Sequence, residues 1–324
     1  MSGMRSFVSN RRYTLTVLLV ACVVLTGAFA LSYKYAKGSS VPTNDELYDT
    51  EYWKSRVDAV GAAAAYEEAV RSVPAGENLR VYHSVGHVVG AAIYESSGLD
   101  DMTVCDSRTV YGCLHEIMRL HLREHPQQGL EELADKCDEQ FGELTWMCKH
   151  AIGHGLMAIN GRSLDGLQTS LAQCDRVSTL DYLESCHAGA FMEFDYDLTV
   201  PGDMDTERPV ENEEWYSPCD EIDGLYYAQC IRRRPYWWLG ALGDEMPIAD
   251  KYARMMSMCR DSRVSTKEAR VQCINAIAIQ ITMLEGGSEL ARSRCASISE
   301  TAEEKMICDV EYEKAVMTLI PDQQ

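Results

Sequence analysis

The sequence predicts an all-α protein: a right-handed α-solenoid of helix–turn–helix repeats stapled by six disulfides, with one N-terminal transmembrane helix ahead of it. Three observations predict this. The cysteines fall into close pairs at a recurring interval, the residues around each pair share one helical pattern, and a long uncharged run opens the chain.

Of the 13 cysteines, Cys22 lies in the uncharged run, leaving twelve for the body, an even number suited to disulfides. In chain order they pair as Cys105 with Cys113, Cys137 with Cys148, Cys174 with Cys186, Cys219 with Cys230, Cys259 with Cys273 and Cys295 with Cys308. No pair has CxxC spacing, which excludes zinc-ribbon and thioredoxin-type sites. The second members recur after 35 to 44 residues, a period of paired-helix repeats.

Each pair is set in the same local pattern. A short amphipathic segment ends in the first Cys, as in EELADKC137 and ARMMSMC259, and polar turn residues follow. A longer segment with apolar residues at helical spacing then carries the second Cys in its first turns. Gly98, Pro126, Gly161, Gly243 and Gly286 mark the turns between long and short helices. The staple therefore joins the end of one repeat to the start of the next. Asn78–Ser96 is predicted as a long helix with Val81 in the Cys position, Cys308 opens a terminal long helix, and Asp45–Val73 is predicted as an N-terminal cap helix. Only the acidic stretch Asp197–Tyr216, with Pro201 and Pro209, interrupts the pattern.

Cys-stapled helix pairs of this period resemble the tetratricopeptide-related repeats of secreted cysteine-rich bacterial proteins. The resemblance covers residues 78–320 and is architectural, because the Trp, Leu-Gly, Tyr, Ala and Pro of the tetratricopeptide signature are absent. It implies a concave groove that binds a peptide or partner protein.

Tyr13–Tyr33 is 21 residues without a charge, about 31 Å long as a helix and so able to span a bilayer. Arg5, Arg11 and Arg12 precede it, and acids begin soon after it at Asp45, which predicts a cytoplasmic N-terminus and an exported body. Two other readings use the same residues: a signal-peptidase site at Ala28-Phe29-Ala30 and a lipoprotein box at Leu19-Val20-Ala21-Cys22. All three export the body to a periplasmic, extracellular or lumenal space. The predicted organisation is a tail over 1–12, a signal anchor over 13–33, a linker and cap helix over 34–76 and a repeat ectodomain over 77–320. The first 37 residues hold five of the 30 bases and none of the 50 acids, so the remainder carries a net charge of −25. Such a body repels phosphate backbones and anionic headgroups, which excludes nucleic acid as a partner and leaves the anchor as the contact with the membrane.

All eight histidines lie between positions 83 and 187. Aligned on the Cys position, His83, His115 and His150 share a column, His87 and His154 stand one turn further on, and Arg119 takes that place in the middle copy. The outer copies read YHSVGHVVG and KHAIGHGLM. Residues four apart share a helix face, and the interspersed glycines remove side-chain bulk, so imidazoles from neighbouring helices can converge. His187 follows Cys186 one residue out of column, with Glu193 further along the same helix. With the cysteines committed to disulfides, imidazole and carboxylate ligands suit Zn, Fe, Mn or Cu(II). The expected ligand set is His83, His87, His115, His150, His154 and His187 with Glu193 or Glu116, holding a metal that activates water or oxygen or ties the layer together. The competing expectation is a non-catalytic scaffold in which each imidazole bonds a carbonyl or carboxylate. His121 and His125, near Pro126, are expected to be solvated.

The remaining motifs are weaker. Arg232, Arg233 and Arg234 before Pro235-Tyr236-Trp237-Trp238 suit an anionic or carbohydrate ligand, although large rings more often pack between helices. Asp203, Asp205, Glu207 and Glu214 match parts of a calcium loop, but Arg208 replaces its glycine. HExxH, CxxCH, GxSxG and phosphate-binding glycine loops are absent.

Overall fold

The computed structural model describes residues 42–77, 79–178, 186–196, 214–222, 224, 226–285 and 288–319. The chain divides into two units, Met1–Glu46 and Leu47–Gln324. In the first, the Thr43 hydroxyl accepts from the Glu46 amide while the Glu46 carboxylate accepts from the Thr43 amide at 2.7 Å, a reciprocal cap on a helical turn. The expected span Tyr13–Tyr33 lies outside the described residues, and among those described no helix is long and apolar enough to cross a membrane.

The second unit is helical. Its thirteen described helices of ten residues or more are α1 (Thr50–Val60), α2 (Ala62–Ser72), α3 (Leu79–Ser97), α4 (Gly112–Glu124), α5 (Gly129–Gln140), α6 (Thr145–Asn160), α7 (Leu164–Cys174), α8 (Cys186–Asp195), α9 (Tyr226–Ala241), α10 (Ile248–Arg260), α11 (Lys267–Leu284), α12 (Glu289–Ile298) and α13 (Ala302–Leu319). Local chemistry sets several ends. Ser163 caps the Gly166 amide at the start of α7, and Thr266 caps the Ala269 amide at the start of α11. Gly161 ends α6 at φ 85°, where a side chain would be strained.

The expected single cap helix is two helices, because Gly61 at φ 86° ends α1 and begins α2. α2 is therefore a short helix ahead of α3, and the pair has no disulfide since Val81 replaces the Cys. Of the expected insertion, residues 197–213 lie outside the described residues. Its end is anchored: Tyr216 is buried and donates to the Met258 carbonyl at 2.9 Å.

All six expected cysteine pairs are joined, with Cα–Cα distances of 5.5 to 5.8 Å. Cys137, Cys174, Cys259 and Cys295 sit on the short helices α5, α7, α10 and α12, as expected. Their partners Cys148, Cys186, Cys273 and Cys308 lie in the first two turns of the following helices α6, α8, α11 and α13, of which α8 has only ten described residues and the others are long. Two staples depart from the expected pattern at their first member. Cys113 on α4 is joined to Cys105, which follows the one-turn 3-10 helix Met102–Val104. Cys230, in the second turn of α9, is joined to Cys219, which opens the one-turn 3-10 helix Cys219–Glu221. Cys230 therefore holds its long helix to a 3-10 turn where a short α-helix was expected. The Ser217–Pro218 bond just before Cys219 is cis, and Tyr216 beside it is buried. Long helices pack on one another in chain order: α3 on α4, α4 on α6, α6 on α8, α8 on α9, α9 on α11 and α11 on α13.

The Arg–Trp motif belongs to this packing. Trp237 and Trp238 are fully buried, and the Trp238 indole donates to the Trp215 carbonyl at 2.7 Å. Arg234 is buried as well, donating to the Ser217 carbonyl and pairing with Asp195 on α8. Arg232 donates to Gln272 at 3.0 Å. Ring packing between helices is thus the role these residues fill.

Candidate metal centre

Two helix pairs, α3 with α4 and α6 with α8, approach at backbone distance, and glycine makes the approach possible. A Cβ on Gly112 would stand 2.3 Å from the His83 carbonyl oxygen, and one on Gly90 would stand 2.4 Å from that of Cys113. In the second pair, Cβ atoms on Gly153 and Gly189 would stand 2.0 Å from the carbonyl oxygens of Cys186 and His150. Real Cβ atoms do not fit there. The glycines beside the histidines therefore bring neighbouring imidazoles together.

The result is a buried cluster. One nitrogen from each of His83, His87 and His115 lies within 4.8 Å of the others, a group able to hold a metal ion. His83 Nε2 and His115 Nδ1 are 3.2 Å apart. Two nitrogens bound tetrahedrally to one zinc ion stand about 3.3 Å apart, so this spacing needs little adjustment. The His115 ring stacks on that of His154 with centroids 4.2 Å apart, and His154 Nε2 lies 3.0 Å from His150 Nε2. His83, His87, His115 and His154 are at most 5% exposed, whereas His150 is half-buried and opens the cluster toward solvent.

Two carboxylates set the tautomers. Glu116 Oε2 lies 3.1 Å from His87 Nδ1, and Glu193 Oε2 lies 2.8 Å from His154 Nδ1. A carboxylate only accepts, so each Nδ1 carries the proton, and in the neutral ring Nε2 presents a lone pair. His87 Nε2 and His83 Nδ1 are buried with no hydrogen-bond partner among the described residues. Leaving His87 Nε2 unpaired costs about 1–3 kcal/mol, a cost that a bound ion removes. Glu116 is itself held by Arg119, whose Nε donates at 2.9 Å.

Burial keeps His83, His115 and His154 neutral. Burial, with the nearby His87 and His154, pushes His83 down to about 2. Burial together with Arg233 and His87 pushes His154 down to about 3. His115 falls well below its usual value, chiefly through burial and then His154 and His83. Burial raises the Glu116 carboxyl, but the bonds from His87 and Arg119 outweigh it and hold it below the usual range. Neutral imidazoles and ionised carboxylates are the protonation states that metal binding requires.

Five of the expected histidines converge here; the others are placed differently. His187 is fully buried but bonds Asp175 through Nε2 at 2.9 Å, and Asp175 also accepts from Tyr226, so His187 is outside the three-imidazole group. Glu193, expected as a ligand, grips Nδ1 of His154 and orients that ring. His121, expected in solvent, is 4% exposed, its Nδ1 3.3 Å from the Tyr94 hydroxyl and its Nε2 3.3 Å from Glu132. His125 beside it is exposed as expected. Sequence reasoning missed the pairing of Glu116 with His87 and the effect of Arg233 on His154. The first joins residues 29 apart on two helices and the second joins helices further apart in the chain, so local spacing signals neither. No protein-family model, curated protein or solved structure matches this chain.

Proposed function

We propose that this chain is a membrane-anchored, extracytoplasmic helical-repeat protein whose N-terminal half binds a transition metal through His83, His87 and His115. The observation that carries the metal site is the convergence of three buried imidazoles, one of them fixed by a carboxylate on its outer nitrogen with Nε2 unpartnered among the described residues. Carboxylate–imidazole–metal chains of this kind orient the ligand and raise its basicity. Imidazole donors suit Zn, Cu or Fe. An ion on three imidazoles keeps a fourth position for water or substrate, the arrangement of catalytic rather than structural zinc.

Six disulfides support an oxidising compartment, and the uncharged run Tyr13–Tyr33 supports an anchor that leaves the body outside the cytoplasm. The chain-order packing of long helices, stapled at six successive steps, supports a right-handed solenoid of the tetratricopeptide-related kind. The test is metal analysis of the full-length chain in detergent after loading with Zn(II), Cu(II) or Fe(II) and removal of free ion. Stoichiometric metal that is lost in His87→Ala while helicity persists supports the proposal. No retained metal under any of these loadings overturns it and leaves the histidines to a packing role in a partner-binding scaffold.

A further inference from the structure

The interface between α3 and α4 recurs, in register, between α6 and α8. In the first, Gly112 faces the carbonyl of His83 and, one turn on, Glu116 reaches Nδ1 of His87. In the second, Gly189 faces the carbonyl of His150 and, one turn on, Glu193 reaches Nδ1 of His154. Each interface pairs HxxGH on one helix with Gly-x-x-x-Glu on the other. Just before the Glu, the first copy has the ligand His115, and the second has Met192.

We infer that the second copy holds a metal ion of its own, copper, on His150, His154 and the Met192 thioether, making the cluster a two-ion centre. The inference rests on the metal-site proposal above and extends it to a second position. The Nε2 atoms of His150 and His154 are 3.0 Å apart, a separation two donors on one ion adopt with a slightly narrowed angle. Glu193 keeps the proton of His154 on Nδ1, so its Nε2 faces His150 with a lone pair. A copper ion takes the place of the proton that now lies between the two rings. Thioether is a soft donor that selects Cu(I), whereas the three-imidazole copy is a harder site. The stacked rings of His115 and His154 make the two positions neighbours. His150, half-buried, gives the second position the more open route for ion entry.

The test loads the full-length chain anaerobically with Cu(I), ascorbate keeping the metal reduced, and measures copper per chain after removal of free ion. The inference expects two ions in the wild type and one in His150→Ala, with unchanged helicity in both. Met192→Leu conserves volume and should lose Cu(I) from one of the two positions to a chromophoric chelator at a concentration at least tenfold lower than the wild type requires. One ion in both wild type and His150→Ala overturns the second position and leaves the first intact. No copper in the wild type overturns the second position, and if the Zn(II), Cu(II) and Fe(II) loadings above also leave no metal, the first falls with it. A Met192→Leu competition curve identical to the wild type overturns the thioether as a donor.

Discussion

His154 Nδ1 lies 2.8 Å from Glu193 Oε2, with both side chains at most 1% exposed. A carboxylate buried this deeply is stable only with a partner, and an imidazole so held has one tautomer and one orientation. Glu193→Gln keeps the shape but removes the charge. It is expected to weaken Cu(I) binding at the inferred second position about tenfold to a hundredfold, the usual effect of losing an outer carboxylate, while circular dichroism remains unchanged. Competition against a chelator of known affinity measures it, and equal affinity in the two proteins contradicts the role given to Glu193.

Acid should destabilise the metal-free protein through its buried histidines. In the unfolded chain each titrates near 6.5, whereas in the folded protein His83 and His154 titrate at about 2 and about 3. Between those values the unfolded state binds more protons, so stability falls as pH drops below about 6.5, by about 1.4 kcal/mol per pH unit for each such group. Glu116, depressed by His87 and Arg119, adds a loss in the same direction at lower pH. Acid also reduces the net charge of −20, which works the other way, so the comparison is with a variant. The urea midpoint of His83→Leu is expected to fall less than that of wild type between pH 7.5 and 5.0. Equal falls contradict the buried neutral state.

Glycine at the helix contacts should be unequal in importance. Gly153→Ala sets a Cβ 2.0 Å from the Cys186 carbonyl oxygen, where only a shift of backbone relieves the clash. Gly155→Ala meets first the movable Leu122 Cδ1 at 2.9 Å. Gly153→Ala is expected to cost about 2–3 kcal/mol and Gly155→Ala about 1 kcal/mol. Thermal unfolding of the two variants checks the order, and a larger loss in Gly155→Ala contradicts the close approach of α6 and α8.

The staple Cys174–Cys186 joins α7 to α8, the helix that carries Glu193. Its closed loop is short, and Cys174→Ser with Cys186→Ser is expected to cost about 2–3 kcal/mol. Cu(I) affinity at the inferred second position should fall as well, because Glu193 loses a fixed helix start only seven residues away. Denaturant unfolding and chelator competition on the same preparation check both, and a double variant as stable and as tight-binding as wild type contradicts the coupling of staple and site.

The pairing of the cysteines is legible because short loops leave each thiol with one near partner, and the apolar spacing around Cys148, Cys273 and Cys308 identifies helix. The break at Gly61 is not, since an Ala- and Glu-rich run hides a single residue at positive φ. Only six residues separate Gly98 from Cys105, room for a 3-10 turn and no helix. Ahead of Cys230 the acidic, Pro-containing stretch takes the place of an amphipathic segment, so Cys219 has no helix to close. The imidazole cluster is legible from two HxxGH copies and a third His in register. What makes it a site is not: Glu193 reaches His154 across 39 residues, and His121 is buried by Tyr94 and Glu132 from other helices. Such pairings depend on how helices cross, which local spacing does not encode.

The central claim is that imidazoles, and no oxygen cage, hold the metal. X-ray absorption at the metal edge of the zinc-loaded full-length chain tests it most directly. The account predicts nitrogen donors at about 2.0–2.1 Å with the outer-shell scattering of three imidazole rings, reduced in His87→Ala. A shell of oxygen donors without imidazole scattering, or a spectrum unchanged in His87→Ala, would contradict it.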